Sequence, residues 1–212
     1  MKRMFCLLIL SFLLLFPVQM DWAIEGDIKA APVNSTLLDS LRQGGYILYV
    51  RHGDATVGDD QPGVVFSDCS TQRNLSEEGK RQAVTFGKTI RDLRIPVQSL
   101  VLASPFCRTR ETAQLAFGQD HVQVDPFWIN IYNLGGHLSS EEQNRILAVL
   151  TTVLEKEPPV GTNQVIISHS FPRGVGLGEI SNLGTVVVKP KGLGKGYEVV
   201  GKITLAELMS LR

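Results

Sequence analysis

The chain has 212 residues, with 21 Lys and Arg against 21 Asp and Glu, four His, three Cys, 43% apolar and 20% charged residues. That length fits one or at most two domains with an ordinary core, and a formal charge of zero gives no basic footprint, so no nucleic-acid partner is expected. Charges are spread along the chain and Gly and Pro are dispersed, which excludes wholesale disorder, and no heptad or repeat period runs through it.

The first segment stands apart from the fold. Lys2 and Arg3 precede an apolar run from Met4 to Phe16, broken by Ser11 and followed by Pro17. A basic head on so short a run reads as a secretory signal, because a membrane span takes roughly 20 residues. Cutting after Ala23 makes residues 1–23 the signal, with Ala30 as the rival cleavage point; left uncut, the run would tether the protein to a membrane. The cut removes Lys2, Arg3 and Asp21 and leaves a net charge of −1. The expected location is therefore exported: periplasm, cell surface or medium. Two cysteines remain, Cys69 and Cys107, and an even pair in an exported protein predicts a disulfide, with two separate thiols as the alternative.

Residues 24–44 read as a lead-in carrying a short helix from Ser35 to Arg42, ended by Gly44-Gly45. Tyr46 to Val50 is a continuous apolar run, the pattern of a strand covered on both faces. A long polar loop spans 54–74. Ser76 then caps a helix with Glu77 and Glu78 in its first turn and Ala83, Phe86, Ile90 and Leu93 at helical spacing, stopped by Pro96. Val97 to Ala103 predicts a second buried strand. Ser104-Pro105 predicts the cap and first residue of the next helix, whose free N–H groups would face an anion. A short strand follows at Val122 to Asp125. Ser139 or Ser140 caps a helix through Leu154, and Glu141 and Glu142 are first-turn charges on it. Val165 to Ile167 is a third buried strand. Thr185 to Lys189 pairs with Tyr197 to Ile203 in a hairpin, and a terminal helix begins near Thr204. Strands alternating with helices predict an α/β fold in one domain over residues 45–212, a mostly parallel central sheet with helices on both faces and a C-terminal hairpin.

The polar residues collect at the carboxyl ends of these strands, where open α/β sheets hold their sites. Strand one ends in Arg51-His52-Gly53-Asp54, strand two runs into Arg108, and strand three ends in Ser168-His169-Ser170. Neutral imidazole is a nucleophile near physiological pH, and neighbouring cations keep it unprotonated. Arginines offer forked donors to phosphate oxygens and neutralise a transferring phosphoryl group. Gly53 would let an anion approach the backbone. Two histidines and two arginines around one anion point to phosphoryl transfer through a phosphohistidine, a chemistry that calls for no cofactor and no metal.

The same residues carry a resemblance. Arg-His-Gly after the first buried strand, Leu-Ser-x-x-Gly-x-x-Gln-Ala at Leu75–Ala83, Ser-Pro-x-x-Arg-x-x-x-Thr-Ala at Ser104–Ala113 and a later strand ending in Ser-His together resemble the histidine phosphatase (phosphoglycerate mutase-like) superfamily, over roughly Gly45 to Leu211. The resemblance implies a phosphoglycerate mutase-like fold, His52 as the phosphorylated nucleophile, and a phosphate pocket of Arg51, Arg108 and His169. Arg73 reads as a solvated loop arginine, with substrate contact as the alternative.

One departure matters. The superfamily's acidic proton donor after the third strand has no counterpart in Phe127–Gly136, and the other branch's acid after the second histidine is replaced by Ser170. A general acid contributes about 10² to 10⁴ in rate, so its absence implies slow turnover, a good leaving group, or a donor supplied by Asp54 or Asp125. Trp128 and Tyr132 are read equally as pocket lining or core. The run Lys189 to Gly196 is read as a flexible hairpin loop, with a phosphate-attracting basic lip as the alternative. The expected activity is an exported, metal-independent phosphatase acting on a small phosphomonoester or phosphoanhydride. The alternatives are a phosphomutase and a catalytically weak phosphate-binding or sensory module.

Overall fold

The computed structural model describes residues 35–211; the expected signal segment and its candidate cleavage points lie outside the described residues. The chain forms α1 (Ser35–Gln43), β1 (Ile47–Arg51), α2 (Glu77–Asp92), β2 (Val101–Ala103), α3 (Cys107–Phe117), β3 (Val122–Val124), α4 (Ile129–Asn133), α5 (Ser140–Leu154), β4 (Gln164–Ser168), β5 (Thr185–Pro190), β6 (Tyr197–Ile203) and α6 (Leu205–Ser210). All strands join one sheet in the order β3-β2-β4-β1-β5-β6. The first four are parallel, β5 runs antiparallel to β1, and β5 and β6 form the C-terminal hairpin. No helix among the described residues is long and apolar enough to cross a membrane.

The continuous apolar runs have a direct physical reading. Successive side chains of a strand point to opposite faces, so a strand apolar throughout needs cover on both. Leu48 and Val50 of β1 pack with Val165 and Ile167 of β4 against Phe86 and Ile90 of α2, Ala113 of α3, Leu41 of α1 and Leu208 of α6. Ile47 and Tyr49 face the other way, with Ile166, Trp128, Ile131 of α4 and Leu150 and Leu154 of α5. Helices cover both faces, and a single sheet supports two cores. Ser76 and Ser139 cap α2 and α5, the latter in a capping box with Glu142, so the first-turn glutamates act as helix charges.

Two local expectations need correction, and one alternative falls. Strand two is shorter than its apolar run: Val97 bridges to Asn163, the chain bends at Ser99, and pairing resumes only at Val101. The helix after it starts at Cys107, two residues late, and Phe106 provides no side-chain cap. Ser104 is drawn elsewhere, as described below. The basic-lip alternative for Lys189–Gly196 is excluded by register. Because β5 opposes β1 with Thr185 beside Val50 and Val188 beside Ile47, the hairpin loop lies at the amino end of β1, away from His52. Glu155 pins that loop through the N–H groups of Gly192 and Gly196.

Candidate active site

The register between β1 and β4 builds the site. Arg51 pairs with Ser168 at the last rung, so His52 and His169, each one residue further on, leave adjacent parallel strands side by side. Their rings sit 5.5 Å apart, edge to face. The His52 N–H bonds Ser168 O at 3.0 Å, which extends the ladder by one step. Tyr49, one turn of the pleat below, donates its hydroxyl to the carbonyl of His169 at 2.8 Å. On the far side of β4, the Ser104 N–H bonds Ile167 O, and the Ser104 hydroxyl meets His169 Nε2 at 3.2 Å. The predicted cap residue therefore positions a histidine.

His52 Nδ1 lies 2.7 Å from the carbonyl of Gly53. A carbonyl only accepts, so Nδ1 carries the hydrogen and Nε2 keeps its lone pair. Burial, and then the charges of Arg108, Arg51 and Arg73, push the imidazole down to about 3 against the pull of that carbonyl. Burial lowers His169 too, helped by His52, Arg108 and Arg51. Both rings are neutral at physiological pH. The bare nitrogen is His52 Nε2.

Three arginines surround the pair. Arg51 is anchored by one bond, Nη1 to Ile180 O at 2.8 Å, and its buried Nε has no protein acceptor among the described residues. Arg73 is the loop arginine expected in solvent. It is half-buried instead, its Nε is buried without an acceptor, and its charge reaches both Arg51 and His52. Arg108, in the first turn of α3, is 3% exposed and rests over the Phe106 ring at 4.4 Å. The first N–H of that helix is not free for an anion, since Cys107 N donates to Gln72 Oε1 at 2.8 Å.

The remaining expected residues fall in varied places. Gly53 donates its N–H to Thr112 Oγ1, and a Cβ there would lie 2.6 Å from Gly79 O. Its lack of a side chain lets β1 meet α2; its N–H is already spoken for. Asp54 accepts from Ser76 Oγ at 2.6 Å and from Asn182 Nδ2 at 3.0 Å, which ties the loop to the α2 cap. Asp125 caps the turn at Pro126–Trp128 through Phe127 N. Trp128 belongs to the core, whereas the Tyr132 ring lies 5.3 Å from His169. Cys69 and Cys107 form the expected disulfide, their Cα atoms 5.7 Å apart.

The acid that does reach the site escaped the sequence reading. Asp60 forms a forked ion pair with Arg108, Oδ1 to Nη1 at 2.8 Å and Oδ2 to Nη2 at 3.1 Å, and its side chain is 6% exposed. It also accepts the Arg73 N–H at 2.9 Å. Burial pushes its carboxyl up, but these donors outweigh burial and hold it below the usual carboxylate range.

Fold and motifs are similar to those of histidine phosphatases. Residues 47–133 match the family profile of the histidine phosphatase superfamily, branch 1. Among solved structures, the fold is shared with a mutant phosphoserine phosphatase from Entamoeba histolytica in complex with phosphoserine. That pair has 15% identity and a TM-score of 0.50 over 77% of this chain and 98% of that one. The alpha-ribazole phosphatase from Shigella flexneri shares it as well, with 14% identity and a TM-score of 0.50 over 76% and 96% of the two chains. No curated protein matches the sequence.

Proposed function

We propose that this chain is an exported, metal-independent phosphatase that hydrolyses a small phosphomonoester or phosphoanhydride through a phosphohistidine on His52. The observation that carries this reading is the pair of buried, neutral imidazoles 5.5 Å apart among three arginines. Buried cations with unpartnered N–H groups suit a dianion, because an unpaired buried donor costs about 1–3 kcal/mol. The phosphatases that share the fold, one of them bound to phosphoserine, support the substrate class. Export is supported by the basic head and apolar run at the N-terminus and by the Cys69–Cys107 bridge, a bond that persists in oxidising compartments.

In the first step His52 Nε2 attacks phosphorus, an N–P bond forms, and the bond to the leaving oxygen breaks with its electron pair. Arg51, Arg73 and Arg108 neutralise the equatorial oxygens. In the second step water attacks the same phosphorus, the N–P bond breaks, and His52 regains its lone pair while a proton passes to solvent. Asp54 is engaged with Ser76 and Asn182 and Asp60 with three N–H donors, so substrates that leave as stable anions suit the site. The locked Asp60 also favours a second reading, a phosphate-binding module with weak turnover.

A panel of phosphomonoesters and phosphoanhydrides with leaving groups of graded basicity tests the reading. Turnover that rises steeply as the leaving group becomes less basic supports a phosphatase without a strong general acid. Phosphate binding with no turnover on any member supports the binding module.

A further inference from the structure

We propose that Asp60 is a positioning residue that fixes Arg108 by one edge so that the other edge meets phosphate, an assignment that rests on the phosphatase reading above. A guanidinium has five N–H groups. In Arg108, Nη1 donates to Asp60 Oδ1 and to the carbonyl of Arg73 at 3.1 Å, and Nη2 donates to Asp60 Oδ2. What remains is Nε–H and the second N–H of Nη2, neither with a protein acceptor among the described residues. By the covalent geometry of the group these two lie side by side and point the same way, a second fork that matches two phosphate oxygens. Phe106 covers a face of the guanidinium at 4.4 Å and Tyr132 stands 5.4 Å from it. The group is held in its plane and across it, with a single fork left over.

Asp60 is itself well anchored. The Arg73 N–H holds its carboxylate, and Gln61, the next residue, bonds back to Thr71 O and Ser70 O. The Cys69–Cys107 bridge joins this same loop to the turn that carries Arg108. A carboxylate beside an anion site repels the anion, so charge alone makes Asp60 unfavourable for phosphate binding. A positioning role predicts the opposite sign, since misplacing an oriented group by about 1 Å can cost 10²-fold.

The experiment measures dissociation constants of orthovanadate and inorganic phosphate, with kcat and KM on one phosphomonoester, for the wild type, D60A, D60N, R108K and the double variant R108K with D60A. Thermal unfolding and thiol counts on each show that the loop is still bridged. D60A should weaken both anions by roughly 10- to 100-fold, with D60N between it and the wild type because it keeps one acceptor. In the R108K background D60A should change little, because lysine has no fork to orient. Should D60A fail to fold, D60N carries the same comparison. Unchanged or tighter anion binding in D60A and D60N overturns the assignment, and so does an equal loss with lysine at 108. A wild type that binds neither anion overturns the phosphatase reading, and this assignment with it.

Discussion

The two ends of one sheet treat buried polar groups in opposite ways. At the amino end of β4, Asn163 is fully buried and every polar atom has a partner: its side-chain amide donates to Leu41 O and Pro96 O, its side-chain oxygen accepts from Tyr46 N, and its backbone bonds Pro96 O and Gln98 N. At the carboxyl end, Arg51 and Arg73 bury guanidinium N–H groups without an acceptor among the described residues, and two imidazoles are kept neutral. A protein built for stability alone would satisfy both ends. The difference separates a satisfied polar group from one with donors to spare.

Removing a group at each end should sharpen that contrast. At the carboxyl end, His52→Ala should lower turnover by roughly 10³-fold or more, the usual scale for losing a nucleophile, while thermal unfolding shows the fold intact; near-normal steady-state rates would break the assignment. Next in size is the Cys69–Cys107 bridge, which closes a segment of 38 residues. On the chain-entropy model it contributes about 4 kcal/mol at most. Denaturant titration with and without reductant should show that loss and weaker anion binding, because the loop holding Asp60 is freed. Asn163→Ala should cost about 3 kcal/mol by stranding several buried groups, yet leave kcat per folded molecule unchanged. A fall in kcat there would erase the distinction between the two ends.

The smallest effect per step, taken over one pH unit, is in pH. The unfolded imidazoles take up protons near pH 6.5, whereas folded His52 does so only near 3 and folded His169 also well below the ordinary value. The unfolded state thus binds more protons in that window, and stability present above about 6.5 is lost as pH falls toward 3. The slope is at most about 1.4 kcal/mol per pH unit for each histidine. Denaturation midpoints across that range should fall with pH in the wild type and fall less in a His52→Asn variant.

The sheet, its covering helices and the convergence of four candidate residues were legible because each follows from a rule with a short reach. An apolar run marks a strand covered on both faces, and a residue just past a parallel strand lies at the carboxyl edge, which brings His52 and His169 together across more than a hundred residues of sequence. Asp60 was not legible. The path of the 54–74 loop depends on scattered polar contacts: Asp68 with Ser70, Gln72 with Val65, and the bridge to Cys107. None of these has a period or a motif. The carboxylate reaches Arg108 only as the sum of them. The burial of Arg73 was not legible for the same reason, as it depends on that loop folding back. The helix at α4 went unnoticed because it spans only Ile129–Asn133, too short to show periodicity. Ser104 carried the right signal for a cap and was used by His169.

On the proposed mechanism His52 carries the phosphoryl group in turn. The direct measurement is to mix the protein with an acyl phosphate, quench in alkali within a single turnover, and locate covalent phosphate by mass spectrometry. One phosphoryl group per chain is expected on His52, stable in alkali, lost in acid and missing from His52→Ala. Steady turnover with no such adduct, or with phosphate on another residue, would contradict that mechanism.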